Sequence, residues 1–129
     1  MTCESLPKSP PLANTCRSSG PVVFFRVLAF PLPVDFELKW VEDNQIGVGK
    51  RLYVRRDLAL PAILKRLSPD YRRIAVVPLD NGAGCFSIVV ATNGTAEDLE
   101  RAKDLEMIHS VQRVLGITEP PAWYRPRRT

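Results

Sequence analysis

The residues with the most chemistry to offer lie between positions 50 and 73, where Lys50, Arg51, Arg55, Arg56, Lys65, Arg66, Arg72 and Arg73 stand against only Asp57 and Asp70. That stretch carries +6 in a chain whose net charge is +4. If 50–56 is extended, Arg51, Tyr53 and Arg55 point to one side, because strand side chains alternate between faces. Guanidinium, phenol and guanidinium in a row would hold phosphates and stack a base. Arg51, Tyr53, Arg55, Arg56, Lys65, Arg66, Arg72 and Arg73 therefore form the candidate nucleic-acid-binding set. A wet strand face kept soluble by its arginines is the plainer account of the same residues.

Other groups offer less. Asp35, Glu37, Glu42 and Asp43 would supply an acid and a base if their environments drew their pKa values apart, but their alternation with apolar residues is that of one exposed sheet face. Cys85 opens an apolar run with no histidine near it in sequence and reads as an inert core thiol. His109 is the one histidine, so no usual zinc set is available. Gly47-Val48-Gly49-Lys50 ends like a phosphate-binding loop, yet Arg51 stands where that loop needs Ser or Thr. Gly82-Ala83-Gly84 is too short for a dinucleotide fingerprint. Asn93-Gly94-Thr95 fits the glycosylation pattern and reads better as a turn followed by a helix cap. No catalytic residue, metal ligand or cofactor is assigned, and the chain reads as leaning away from an enzyme. A pocket lined by Asp35, Glu37 or Cys85 would reopen that question.

The elements that must position these groups follow from periodicity. Residues 1–21 mix four prolines with Ser, Thr and Asn and form a flexible tail, in which Lys8-Ser9-Pro10-Pro11 fits a proline-directed phosphorylation site, a short polyproline II ligand or a solvated leader. The apolar run Val22 to Phe30, interrupted by Arg26, predicts a strand covered on both faces. Val34, Phe36, Leu38 and Trp40 alternate with Asp35, Glu37 and Lys39, which predicts a half-buried strand, and Lys50 to Arg56 predicts a third. Pro61 to Leu67 follows as a short helix. Ile74 to Leu79 and Phe86 to Ala91 predict an antiparallel hairpin, and Thr95 to Leu115 one long capped helix ended by Gly116.

The prediction is a single α+β domain over 22–117 with a basic tail at 118–129. It has a mainly antiparallel sheet of about five strands and two helices, in the order β-β-β-α-β-β-α. Its core draws on Phe25, Leu52 and Phe86 among others. Leu52-Tyr53-Val54, the helix and strand after it, Gly84-Cys85-Phe86-Ser87-Ile88-Val89 and the capped helix together resemble an RNA-recognition motif across 51–114. The resemblance implies stacking roles for Tyr53 and Phe86. It departs from that family in having one aromatic and no leading basic residue in the second motif, no final strand, and a strand pair ahead of the first.

Composition sets the outer limits. The 129 residues are 45% hydrophobic, enough for one core without staples, and Cys3, Cys16 and Cys85 are an odd number suited to no disulfide framework. A Cys3–Cys16 bridge would need an oxidising compartment. Residues 1–21 carry four prolines and no unbroken apolar run, and 21–41 is broken by Arg26, Pro31, Pro33, Asp35, Glu37 and Lys39, so neither a secretory signal nor a membrane span is expected and the chain reads as intracellular. The functional expectation is a non-enzymatic binding module acting through a protein partner or self-association as a homodimer. RNA or DNA bound at 50–73 is the alternative, and an enzyme of unrecognised type the third.

Overall fold

The computed structural model describes residues 6–14 and 22–127, so Cys3 and Cys16 lie outside the described residues. Four strands form one sheet: β1 (Val27–Pro31), β2 (Ile74–Pro78), β3 (Gly84–Thr92) and β4 (Ala122–Tyr124). Their spatial order is β2-β3-β1-β4, antiparallel throughout. Helices α1 (Val34–Asp43), α2 (Leu52–Asp57) and α3 (Ala59–Arg66) connect β1 to β2, and α4 (Ala96–Glu100) and α5 (Leu105–Leu115) connect β3 to β4. Short 3-10 turns occupy Pro69–Tyr71 and Arg101–Lys103. The chain is α+β, but the expected five strands, two helices and β-β-β-α-β-β-α order are overturned.

The first correction is at 34–43, which is helical rather than extended. Alternation serves a helix as well as a strand when the residues that must be covered are four apart, and here Phe36, Trp40 and Val41 share the inward side. Asp35 and Glu37 sit in the first turn, where the helix dipole favours acids, and Lys39 pairs with Asp43 one turn on at 2.7 Å.

The second correction is at 50–56. Leu52 and Tyr53 are 57% and 60% exposed on α2, and with Tyr53 off the sheet the resemblance to an RNA-recognition motif loses its first motif. The helix stops at Asp57 because Pro61 has no N–H to give that carbonyl and its ring would crowd it. Leu58 keeps a helical conformation, so α3 resumes at once.

Two further corrections concern the ends of the sheet. The run Val22 to Phe30 forms a strand only from Val27, and Phe25, like Phe86, is half exposed rather than core. The residues after α5 add a fourth strand, β4, which pairs Val27 with Tyr124 and Leu28 with Trp123. The expected helix from Thr95 to Leu115 is divided, with α4 and α5 separated by a 3-10 turn and by Asp104.

Leu28 and Phe30 of β1 and Ile88 and Val90 of β3 bury against Trp40, Ile63, Met107, Ile108, Val111 and Leu115 of the helical layer. A bulge between Leu28 and Ala29 leaves Val90 as the extra residue on β3. The opposite face holds a smaller cluster of Val27, Ala29, Val77 and Val89, against which Ala75, Cys85 and Tyr124 pack. Just after β4, Arg127 N donates to Val76 O on β2 at 2.7 Å, which brings the two ends of the sheet order together. The residues of this second cluster are buried within the chain. Among the described residues no helix is long and apolar enough to cross a membrane.

Candidate functional site

The eight residues predicted to bind nucleic acid are divided among the start of α2, α2 itself, α3 and the segment between α3 and β2. Arg55 is 12% exposed and spends its guanidinium on Ile46 O, Val41 O and Glu42, holding the turn after α1. Arg66 donates to Asn44 and lies over the Trp40 ring, 5.0 Å from its centroid. Arg72 donates to Leu67 O, and Arg73 makes two hydrogen bonds to Asp98. Arg56 approaches Glu37 at 3.7 Å. Arg51 precedes α2, Tyr53 stands on it and Lys65 lies in the last turn of α3, all three exposed.

A cleft of about 390 Å³ does bring together Asp35, Glu37 and Cys85, with Arg56, Asn81 and Phe86 in its walls. The Glu37 side chain is 13% exposed. Burial pushes its carboxyl up from the ordinary value, Arg56 draws it back and Asp57 adds to the rise. A carboxyl raised in this way suits a general acid or base. Catalysis by Cys85 would need its thiol oriented on a base, and no hydrogen bond joins it to either carboxylate. Among the described residues no three His, Cys, Asp or Glu groups are placed to hold a metal ion.

A second site is built by the two ends of the chain, and its organiser is Asn93, fully buried just beyond β3. Its Oδ1 accepts from Arg26 N at 2.7 Å, and its Nδ2 donates to Pro11 O at 2.9 Å and Phe24 O at 3.0 Å. Ala13 N donates to Asn93 O, and Asn14 exchanges two hydrogen bonds with Val23. Residues 6–14 and 22–26, which carry no regular structure of their own, are thereby fixed side by side. Buried in this role, Asn93 has no free amide for a glycan, and Thr95 accepts from Asp98 N as the cap of α4.

Between these segments and β4 lie two adjoining hollows with Phe24 as a common wall. One, of about 440 Å³, is lined by Lys8 to Pro11, Val22 to Phe24, Arg26 and Trp123. The other, of about 230 Å³, is lined by Phe24, Phe25, Arg125, Pro126 and Arg127. Among the described residues the walls hold four cations and no acid.

Phe24 and Phe25 are 48% and 46% exposed, and the Arg125 guanidinium stacks 4.0 Å from the centre of the Phe24 ring. Phe25 lies so close over Gly94 that an added Cβ would come within 2.9 Å of its ring, so glycine at 94 sets the ring's position. Trp123 is held by its pairing opposite Leu28, and its buried indole Nε1 has no acceptor among the described residues. Such a donor costs about 1–3 kcal/mol while unmet.

The pieces of this groove are visible in the sequence as Arg26 inside an apolar run, Lys8 among prolines, and a C-terminal stretch with two aromatics and several arginines. Nothing in their spacing brings them together, because the link is Asn93, which reads as an ordinary turn residue. Comparison of the chain with models of known protein families, with curated proteins and with solved structures finds no match.

Proposed function

We propose that the chain is a non-enzymatic binding module whose interaction surface is the groove built by its two terminal segments, and that the partner it takes there is anionic. The observation that carries this reading is the composition of the groove walls: among the described residues Lys8, Arg26, Arg125 and Arg127 line two adjoining hollows with no acidic side chain beside them. In a molecule where Arg55, Arg56 and Arg73 each have a carboxylate partner, cations gathered without one set up a local positive potential. The half-exposed rings of Phe24 and Phe25 add apolar surface for contact once the charges have brought a partner in.

Trp123 supplies the test. Trp40 is buried with its Nε1 donating to Val114 O, so in a Trp40→Phe variant the remaining indole fluorescence reports on the groove. Titration with inorganic polyphosphate at low ionic strength should change that emission, with the change reversed by salt and abolished in Lys8→Ala/Arg26→Ala. Emission indifferent to polyphosphate at low salt would remove the groove as an anion site.

A further inference from the structure

The ligand class can be narrowed from anionic partner to one kind of polymer. We infer that the groove binds single-stranded nucleic acid, an inference that rests on the anionic-partner reading and adds a base-stacking requirement to it. Charge alone explains Lys8 and Arg26, which have no acidic partner among the described residues. It does not explain the aromatics. Phe24 and Phe25 keep nearly half of their surface in water although they lie beside β1, and an acidic peptide or a bare polyphosphate would gain nothing from their ring faces. A base would, since every base presents a π-face and stacking on aromatic side chains is the usual means of holding single strands without reading their sequence.

The arrangement of charge around the rings points the same way. Phe24 stands between the two hollows, with Lys8 and Arg26 lining one and Arg125 and Arg127 the other, the Arg127 guanidinium also donating to Gly82 O. A backbone crossing the groove would meet cations before and after the ring on which its base stacks. The Arg125 guanidinium covers one face of the Phe24 ring, so a base would stack on the part of the ring that stays exposed or take the place of the guanidinium.

The walls also argue against a duplex. They are extended segments and a three-residue strand, and no helix lines either hollow. Reading a B-form duplex takes a helix or ribbon that enters the major groove, whereas paired bases would keep their faces from Phe24 and Phe25. Single strands present those faces freely.

The experiment is fluorescence anisotropy of the full chain with four probes: labelled oligothymidylate, labelled oligouridylate, the matching DNA duplex and labelled polyglutamate. Either single strand should bind more tightly than the duplex. Lys8→Ala/Arg26→Ala should lower the salt slope by about 1.4, at about 0.7 for each single-strand phosphate that the protein no longer neutralises. Phe24→Ala should weaken binding roughly 5- to 150-fold with the slope unchanged, and Phe24→Trp should restore it. Arg51→Ala/Lys65→Ala, at exposed residues outside these walls, should leave binding as it was.

Circular dichroism confirms that each variant is folded. Equal affinity for duplex and single strand with Phe24→Ala silent overturns the stacking inference, and so does failure of Arg51→Ala/Lys65→Ala to bind. Binding of polyglutamate without either oligonucleotide overturns the inference and leaves the anionic-partner reading standing. Binding of none of the four probes overturns both.

Discussion

Asn93 Nδ2 donates to the carbonyl oxygen of Pro11 at 2.9 Å across 82 positions of sequence, and this bond ties the N-terminal segment to the end of β3. The same side chain serves Arg26 N and Phe24 O, so all of its strong hydrogen bonds go to backbone that belongs to no helix or strand. Replacing it would leave three backbone groups to find water from a buried position. Asn93→Ala should cost about 3 kcal/mol in urea unfolding, and residues 6–14 should become cleavable by added protease well below the unfolding midpoint. A loss under about 0.5 kcal/mol would show that the segments hold together without it.

The pH dependence of stability should turn on two carboxylates of opposite sign. Burial alone would raise Asp98, but hydrogen bonds from Arg73 and Thr92 and the nearby charges of Arg73 and Arg101 outweigh it and leave the group below its ordinary value. Asp98 therefore contributes stability above the unfolded-state pKa, and that contribution is lost as pH falls through the folded value. Glu37, raised chiefly by burial, contributes most when protonated, and its contribution is lost as pH rises through its folded value. Acidifying from neutrality should first strengthen and then weaken the fold. Asp98→Asn should cost about 2 kcal/mol at neutral pH and flatten the acid limb, whereas Glu37→Gln should be no less stable than wild type at pH 7 and remove the initial rise. Denaturation series from pH 3 to pH 7 on the three proteins check both limbs.

What the sequence makes legible is set by how far apart the deciding residues lie. The hairpin of β2 and β3 is readable because both strands and their Gly-rich turn are contiguous, and Gly116 at φ +72° ends α5 as its type suggests. Helix α1 is misread because Phe36 and Trp40 satisfy both periods at once, and only Val41, apolar where strict alternation calls for polar, distinguishes them. β4 is too short to show a period and becomes a strand only because β1 has a free edge beside it. The terminal groove is legible residue by residue and not as a site, since Asn93 joins parts that lie more than 60 positions apart.

The division between α4 and α5 has its own signal. Apolar residues at Leu99 and Ala102 keep helical spacing, but the next buried ones are Met107 and Ile108, five and six positions after Ala102, while Leu105 is exposed. One continuous helix would carry those residues off the inward face, so the chain restarts with Asp104 as a second N-cap accepting from Met107 N at 3.1 Å. Asp104→Ala should cost about 1 kcal/mol and Thr95→Ala a similar amount, and because the two caps serve separate helices the losses should add in the double variant. Strong non-additivity in thermal unfolding would mean that 95–115 behaves as one helix.

Arg55 and Arg51 separate the arginines that hold the fold from those that do not. Although they stand one helical turn apart, Arg55 reaches back to Ile46 O at 2.9 Å and Val41 O at 3.3 Å, whereas Arg51 is exposed ahead of α2. Removing Arg55 would strip Ile46 O of its side-chain donor in the turn where Gln45 and Gly47 take positive φ, would leave Val41 O with Ile46 N alone, and would loosen α2 from the end of α1. Arg55→Ala should therefore cost about 3 kcal/mol in urea unfolding, with Arg55→Lys recovering little because one ammonium cannot reproduce the fork. Arg51→Ala should lie within about 0.5 kcal/mol of wild type. Equal and small effects at the two positions would mean that the guanidinium of Arg55 is not what holds the turn, and that the close approach of Leu58 to Gly47 carries it instead.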